Sequence, residues 1–275
     1  MNRFLPYTIF LLLFTVGCKK DIPKAVNNPL KDGPVTEKQL VKTITTIISG
    51  KVVSKTIFDY DSENRITTVH DSSFNSDEYV YTYDAAGNMI RQTLINEGKI
   101  RTWDVKYIND APTFLTYTDP DPQNNYFLKI LTDKTKTISK TLYTLSTGPN
   151  PIQIEGSTTK YEYQDQNLVK VSYSSSTNSN QIIAANVFEY GSKKNPYAYT
   201  GDKWQLNWIP FFNKNDQLKD IYTNEGSITT ITYSNTYNVQ GYPLIVVTNA
   251  KQVVDNLPDP IISQNTKIYT YTDAK

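Results

Sequence analysis

Along most of the chain, apolar and polar side chains alternate one by one. Residues 101 to 107 set Arg101, Trp103, Val105 and Tyr107 against Thr102, Asp104 and Lys106. A period of two is the mark of a strand with one face turned inward, because successive side chains point to opposite sides. No stretch sustains the 3.6-residue period of an amphipathic helix. LVKTITTII at 40 to 48 is rich in β-branched residues and predicts a strand, although TEKQ at 36 to 39 has the form of a helix capping box.

A longer repeat is laid over this alternation. FDYDSENRI (58–66), YTYDAAGNM (81–89), YEYQDQNLV (161–169) and YNVQGYP (237–243) align without gaps. Four residues after the second aromatic of each (Tyr60, Tyr83, Tyr163, Tyr237) stand Asn64, Gly87, Asn167 and Gly241, residue types that enter the left-handed region cheaply. The pairs Phe58/Tyr60, Tyr81/Tyr83 and Tyr161/Tyr163 share a strand face. Asp61, Asp84 and Asn238 follow, with side chains suited to bonding an amide two residues on. Ile66, Met89 and Val169 then begin the return strand. Copies at Tyr107 and Tyr190 carry Ala111 and Lys194 at the Gly/Asn position, so their turns must differ. Ser49-Gly50, Glu97-Gly98 and Glu225-Gly226 mark further turns.

These units predict an all-β chain. The fold expected is one large curved antiparallel meander sheet, open or partly closed like a barrel, occupying a single domain over 36 to 275. Tyrosines would form one face, and Thr, Ser and Lys the other.

At the repeated turns the sequence resembles the YD repeats of Rhs-type wall and toxin-shell proteins. It is also similar to a family of Gram-negative envelope lipoproteins built from such units, most closely at KKNPY (193–197) and YNVQGYP. The resemblance implies a strongly curved, porin-like sheet and brings no activity with it.

The amino terminus adds a location. Arg3, an apolar run from Phe4 to Val16, and Thr15-Val16-Gly17-Cys18 have the form of an export signal over residues 1 to 17. The run is shorter than a membrane-spanning helix and is followed at once by Lys19, Lys20 and Asp21. It resembles the lipobox of bacterial lipoproteins, with Thr15 where leucine is usual. That resemblance implies cleavage before Cys18, acylation of its thiol by palmitate-type chains, and anchorage to the outer membrane, at the cell surface or on the periplasmic face. Residues 18 to 35 read as the acylated cysteine and a flexible tether reaching roughly 50 Å when extended.

Composition removes several function classes. Loss of residues 1 to 17 takes away only Arg3 from the charged set, leaving 27 basic against 27 acidic side chains. Nothing in that balance favours nucleic acid. Cys18 is the only cysteine and His70 the only histidine, so no thiolate metal set and no evident nucleophile with its base can be assembled. DYDSEN at 59 to 64 starts like a calcium loop but has Asn64 and His70 where glycine and glutamate belong. No phosphate-cradling glycine loop is present. No catalytic, cofactor or metal residues are assigned, and an enzyme is not expected.

Aromatic density is highest in NPYAYTGDKWQLNWIPFF, 195 to 212. Tyr197, Tyr199, Trp204 and Trp208 would stack against a sugar or peptide if exposed, or plug the curved sheet if buried; the plug is favoured. The main expectation is a lipid-anchored envelope protein that binds or scaffolds, with the membrane as one partner and a glycan or an envelope protein as another. One alternative is a carbohydrate-binding or carbohydrate-active protein using aromatics and carboxylates inside the curve. The other is a membrane-embedded barrel.

Overall fold

The computed structural model describes residues 38–73, 76–132, 138–145, 154–175, 181–197, 213–255 and 257–274, with side chains left undescribed over 138–145 and 154–156. The chain divides into two units, Met1–Val35 and Thr36–Lys275. Only the second falls among the described residues. Cys18, the export signal and the tether lie outside them.

The second unit is a run of antiparallel strands: β1 (Gln39–Ile48), β2 (Lys51–Tyr60), β3 (Ile66–Asp71), β4 (Asp77–Tyr83), β5 (Met89–Asn96), β6 (Lys99–Ile108), β7 (Ala111–Thr118) and β8 (Tyr126–Thr132), then β9 (Ile138–Leu145), β10 (Ile154–Gln164), β11 (Asn167–Ser174), β12 (Ile182–Lys194), β13 (Asn215–Asn224), β14 (Ser227–Tyr237), β15 (Pro243–Val254) and β16 (Ile261–Asp273). Each pairs with its neighbours in sequence, and β1 pairs with β16 over Gln39↔Asp273 to Ile47↔Thr266. The ladder therefore closes, which goes beyond the open or partly closed sheet expected from sequence. Closure removes both free edges, whose unpaired amides would otherwise face solvent.

Strand direction alternates, so the connections fall at two rims. The lower rim carries the start of β1 and the turns after β2, β4, β6, β10 and β14. The upper rim carries the turns after β1, β5, β7, β13 and β15.

The repeated turn has one construction. The amide of Asp61 donates to the Arg65 carbonyl (3.0 Å) and the amide of Asn64 to the Asp61 carbonyl (3.3 Å), while Asp61 Oδ1 accepts from the amides of Glu63 (3.0 Å) and Arg65 (2.9 Å). Asp84 Oδ1 accepts likewise from the amides of Ala86 (2.9 Å) and Asn88 (2.8 Å), and Asn238 Oδ1 from those of Gln240 (3.1 Å) and Tyr242 (2.9 Å). One side-chain oxygen thus caps two amides that the hairpin leaves unpaired. Asn64 (φ 64°), Gly87 (φ 80°) and Gly241 (φ 83°) take the left-handed position.

Asn167 does not. The positive φ values there belong to Asp165 (50°) and Gln166 (66°), and Asn167 is the first residue of β11. YEYQ has glutamine where the capping Asp or Asn stands, so the longer turn loses its cap and a two-residue turn replaces it. Asn167 instead ties two strands, accepting the Asn215 amide (2.9 Å) and donating to Asn215 Oδ1 (3.0 Å). The degenerate copy at Tyr107 also uses a two-residue turn, Asn109-Asp110, with φ of 52° and 59°.

Tyrosines of the repeat point inward and fasten the lower rim. Tyr60 donates its hydroxyl to the Val41 carbonyl (2.8 Å), Tyr83 to Ile66 (2.7 Å), Tyr107 to Met89 (2.8 Å), Tyr190 to Leu168 (2.7 Å) and Tyr271 to Pro243 (2.5 Å). In each case an even strand is tied to the start of the odd strand before it, at the open end of their hairpin. A phenylalanine could bury the same ring but could not make the tie.

The core sits in the lower half. Val41, Ile44, Phe58, Ile66, Val69, Val246 and Tyr269 form one buried cluster; Met89, Val105, Leu115 and Ile130 form a second; Leu168, Val171 and Phe188 form a third. Tyr81 packs against the first two and Tyr161 against the last two, so tyrosines bridge what aliphatic side chains are too short to span.

Candidate functional site

The upper half of the interior has a different chemistry. Inward positions follow from register: Asp71 lies on the face of buried Val69, Asp77 is opposite Asp71, Arg101 and Trp103 alternate with buried Val105, and Lys267 and Asn265 continue the face of Tyr269 and Tyr271. Tyr79, Tyr117, Tyr126, Asn186, Asp220 and Tyr222 share this inner wall. These side chains are half-buried, in contrast to the closed clusters below. Among the described residues the inner wall is therefore packed and apolar below and polar above, the outline of a cup.

Asp119 anchors one wall. It accepts from Tyr117 Oη (2.7 Å) and Arg101 Nε (2.9 Å) on one oxygen, and from the Asp121 amide (2.9 Å) and Asn124 Nδ2 (3.5 Å) on the other. Burial alone would raise its pKa, but the Tyr117, Asp121, Arg101 and Asn124 bonds outweigh that and bring it down to about 2. The 3-10 turn Pro122–Asn124, capped by Asp121, presents Asn124 to it. Beside it Trp103, Tyr117 and Tyr126 stand in a row, with centroids 4.9 Å and 4.7 Å apart, and Trp103 Nε1 donates to Tyr126 Oη (3.1 Å). The rings occupy one another's faces, so this row stiffens the wall rather than offering a flat platform.

Along the same wall, Asp71 accepts from Thr56 Oγ1 (3.1 Å) and the Ser73 amide (2.8 Å), and Asp77 accepts from Asn96 Nδ2. Burial, then the Asp77 and Asp71 charges, push the Tyr79 phenol up, against a smaller opposing effect of Arg101. Burial raises the Asp220 carboxyl, partly offset by Asn186 Nδ2 at 3.2 Å. Burial likewise lowers the Lys267 ammonium, and the Asp71 charge restores part of the loss.

Of the residues singled out from sequence, Tyr197 is placed at the lower end of the cup floor. Its ring lies 6.0 Å from Phe58 and packs against the first cluster, and its amide donates to Asn195 Oδ1 (2.9 Å). Burial pushes its phenol well up. Tyr199, Trp204 and Trp208 lie outside the described residues. His70 is on the outer wall, half-exposed, with Nε2 4.0 Å from Asp59 Oδ2. Of the acids of DYDSEN, Asp61 caps the turn, Asp59 pairs with Lys42 (3.1 Å) and Glu63 with Arg65 (3.1 Å), and among the described residues no group of three or more His, Cys, Asp or Glu is placed to hold a metal. Sequence reasoning missed Lys267. Its signal was legible: KIYTY sets Lys267, Tyr269 and Tyr271 on one face, so a lysine on the tyrosine side must point inward.

No protein family and no curated protein matches the sequence. Among solved structures the chain is similar to a porin-like protein from Bacteroides uniformis, with 13% identity over 84% of this chain and 96% of that one, at a TM-score of 0.54. A porin-like protein from Bacteroides vulgatus aligns at 9% identity over 86% of this chain and 99% of that one, with a TM-score of 0.38, too low to bear on the fold. The all-β porin-like fold is common ground with the first.

Proposed function

We propose that the protein is a lipid-anchored envelope protein whose barrel serves as a binding cup, not as a channel or a catalyst. The observation that carries this reading is the division of the interior. Three clusters and the tyrosine ties fill the lower half, while the upper half presents half-buried polar walls. A channel of porin type keeps a polar, water-filled lumen from end to end. Cys18 and the signal before it supply the anchor, as in the lipoproteins the sequence resembles.

The outer wall weighs against a membrane-embedded barrel. Arg91 pairs with Asp104 (2.6 Å), Lys219 with Glu189 (2.9 Å) and Lys170 with Glu162 (3.6 Å), all within strands and facing outward. A basic residue on the lipid face at the bilayer midplane costs about 2–4 kcal/mol, so such a belt suits water.

The test is metabolic labelling with palmitate in cells producing the wild-type chain or Cys18→Ser, with solubility of residues 38–275 assayed in parallel. Label on the wild type alone, and a fold that stays soluble without detergent, support the reading. Detergent-dependent folding or ion conduction across a planar bilayer overturns it.

A further inference from the structure

One polar atom on the cup wall, Asn265 Oδ1, is buried without a donor; Lys267 beside it is half-buried and feels the Asp71 charge, but forms no ion pair among the described residues. They are adjacent inward positions of β16, about 6–7 Å apart along the strand. Asp71 lies on β3, beyond β1 and β2 on the same inner wall, near enough for its charge to act on Lys267, and Asp77 is paired with it on β4. A buried acceptor left unsatisfied asks for an explanation, since it forfeits its hydration.

The donor and acceptor pattern restricts what could satisfy them. Lys267 offers donors only, whereas Asn265 Oδ1 and the Asp71 carboxylate accept only. A simple anion would answer Lys267 but would leave Asn265 Oδ1 without a donor and meet Asp71 and Asp77. A simple cation would answer Asn265 and Asp71 and be repelled by Lys267. Neighbouring neutral hydroxyls do both, since each accepts from one wall group and donates to the next.

We infer that the cup between β16 and β3–β4 is a saccharide site, in which sugar hydroxyls accept from Lys267 and donate to Asn265 and Asp71. The inference rests on the binding-cup reading and names its ligand class. Thr46 and Thr248, opposite Lys267 and Asn265 in the ladder, add hydroxyls to the same wall. The ligand favoured is neutral, because Asp71 and Asp77 oppose an acidic sugar.

The test uses the acylated full chain in lipid nanodiscs, which avoids sugar detergents. Probes are hexasaccharides of α- and β-1,4-linked glucose, mannose, xylose and N-acetylglucosamine, with hexagalacturonate as the acidic member. Saturation-transfer NMR detects binding and calorimetry gives Kd. At least one neutral probe is expected to bind. Lys267→Met and Asn265→Leu should each weaken it at least tenfold while leaving Tm unchanged or higher, because each replaces a desolvated polar group with an apolar one. A purely structural role would lower Tm instead.

The inference is overturned if no hexasaccharide binds, if only hexagalacturonate binds, if the variants bind as the wild type does, or if they lose binding together with Tm. Absence of binding by a protein that is acylated and does not conduct ions would remove the saccharide assignment and leave the binding-cup reading standing.

Discussion

Replacing Gly191 by alanine tests whether the lower rim is built around a fixed carboxylate. Gly191 lies in an irregularity of the β12–β13 ladder, where Tyr190 pairs with Gln217 and Lys194 with Asn215, so the chain bows around Asp216. Asp216 is 2% exposed. Its Oδ1 accepts the Lys193 amide (2.9 Å), and its Oδ2 accepts Asn235 Nδ2 (3.2 Å) and the Tyr237 hydroxyl. A Cβ on residue 191 would fall 2.6 Å from Oδ1, 2.9 Å from Oδ2 and 3.1 Å from Cγ. The backbone of Gly191 is not left-handed, so the penalty is one of space alone.

To admit the methyl group, the carboxylate must leave at least one of its bonds. A hydrogen bond to a charged group contributes about 1.5–3 kcal/mol, and overpacking adds about 1–3 kcal/mol. A loss of about 3 kcal/mol is expected, which for a domain of this size lowers Tm by about 6–12 °C. Urea unfolding followed by circular dichroism and tryptophan fluorescence measures it, in Gly191→Ala, Asp216→Ala and the double variant. In the Asp216→Ala background the added methyl meets no carboxylate, so its cost should fall below about 1 kcal/mol. An unchanged cost in that background, or a wild-type midpoint for Gly191→Ala alone, would refute the reasoning.

Three further outcomes follow from the rim and the cup. Tyr83→Phe and Tyr190→Phe should each cost about 0.5–1.5 kcal/mol in urea unfolding and add in the double variant, because the ties at Ile66 and Leu168 are separate. Asp84→Ala removes the cap on two amides and should cost about 1–3 kcal/mol; Asp84→Asn, whose Oδ1 matches the cap Asn238 makes, should recover most of it. Asp119 contributes stability that is full above the ordinary carboxyl pKa of 3.8 and lost as pH falls toward about 2. The shift corresponds to about 2 kcal/mol. Asp119→Asn should flatten the fall of the urea midpoint over that window, and an acid limb identical to wild type would contradict the assignment.

The turn motif shows how far local chemistry reaches. An Asp or Asn with Gly or Asn three residues later sufficed to place the turns at 61–65, 84–88 and 238–242, because capping and positive φ involve only residues within the turn. Where the capping residue was missing, at Gln164, the same spacing misled, and Asn167 became a strand residue. The strands and their inward tyrosine face were likewise legible, since alternation is a property of neighbours.

Closure was not legible. It depends on Gln39–Ile47 meeting Thr266–Asp273, more than two hundred residues away, and strand-pairing preferences carry no address for so distant a partner. Nor did alternation distinguish the two halves of the interior, because it assigns a side chain to a face and not to a depth. Arg101 and Asp119 meet across consecutive strands, but the Asp71 charge reaches Lys267 only because β3 and β16 are joined through β2 and β1. Sequence alone determined the strand type, the turns and the inward face; tertiary structure decided that the ring closes, that the apolar clusters gather in one half, and that polar groups line the inner wall of the other.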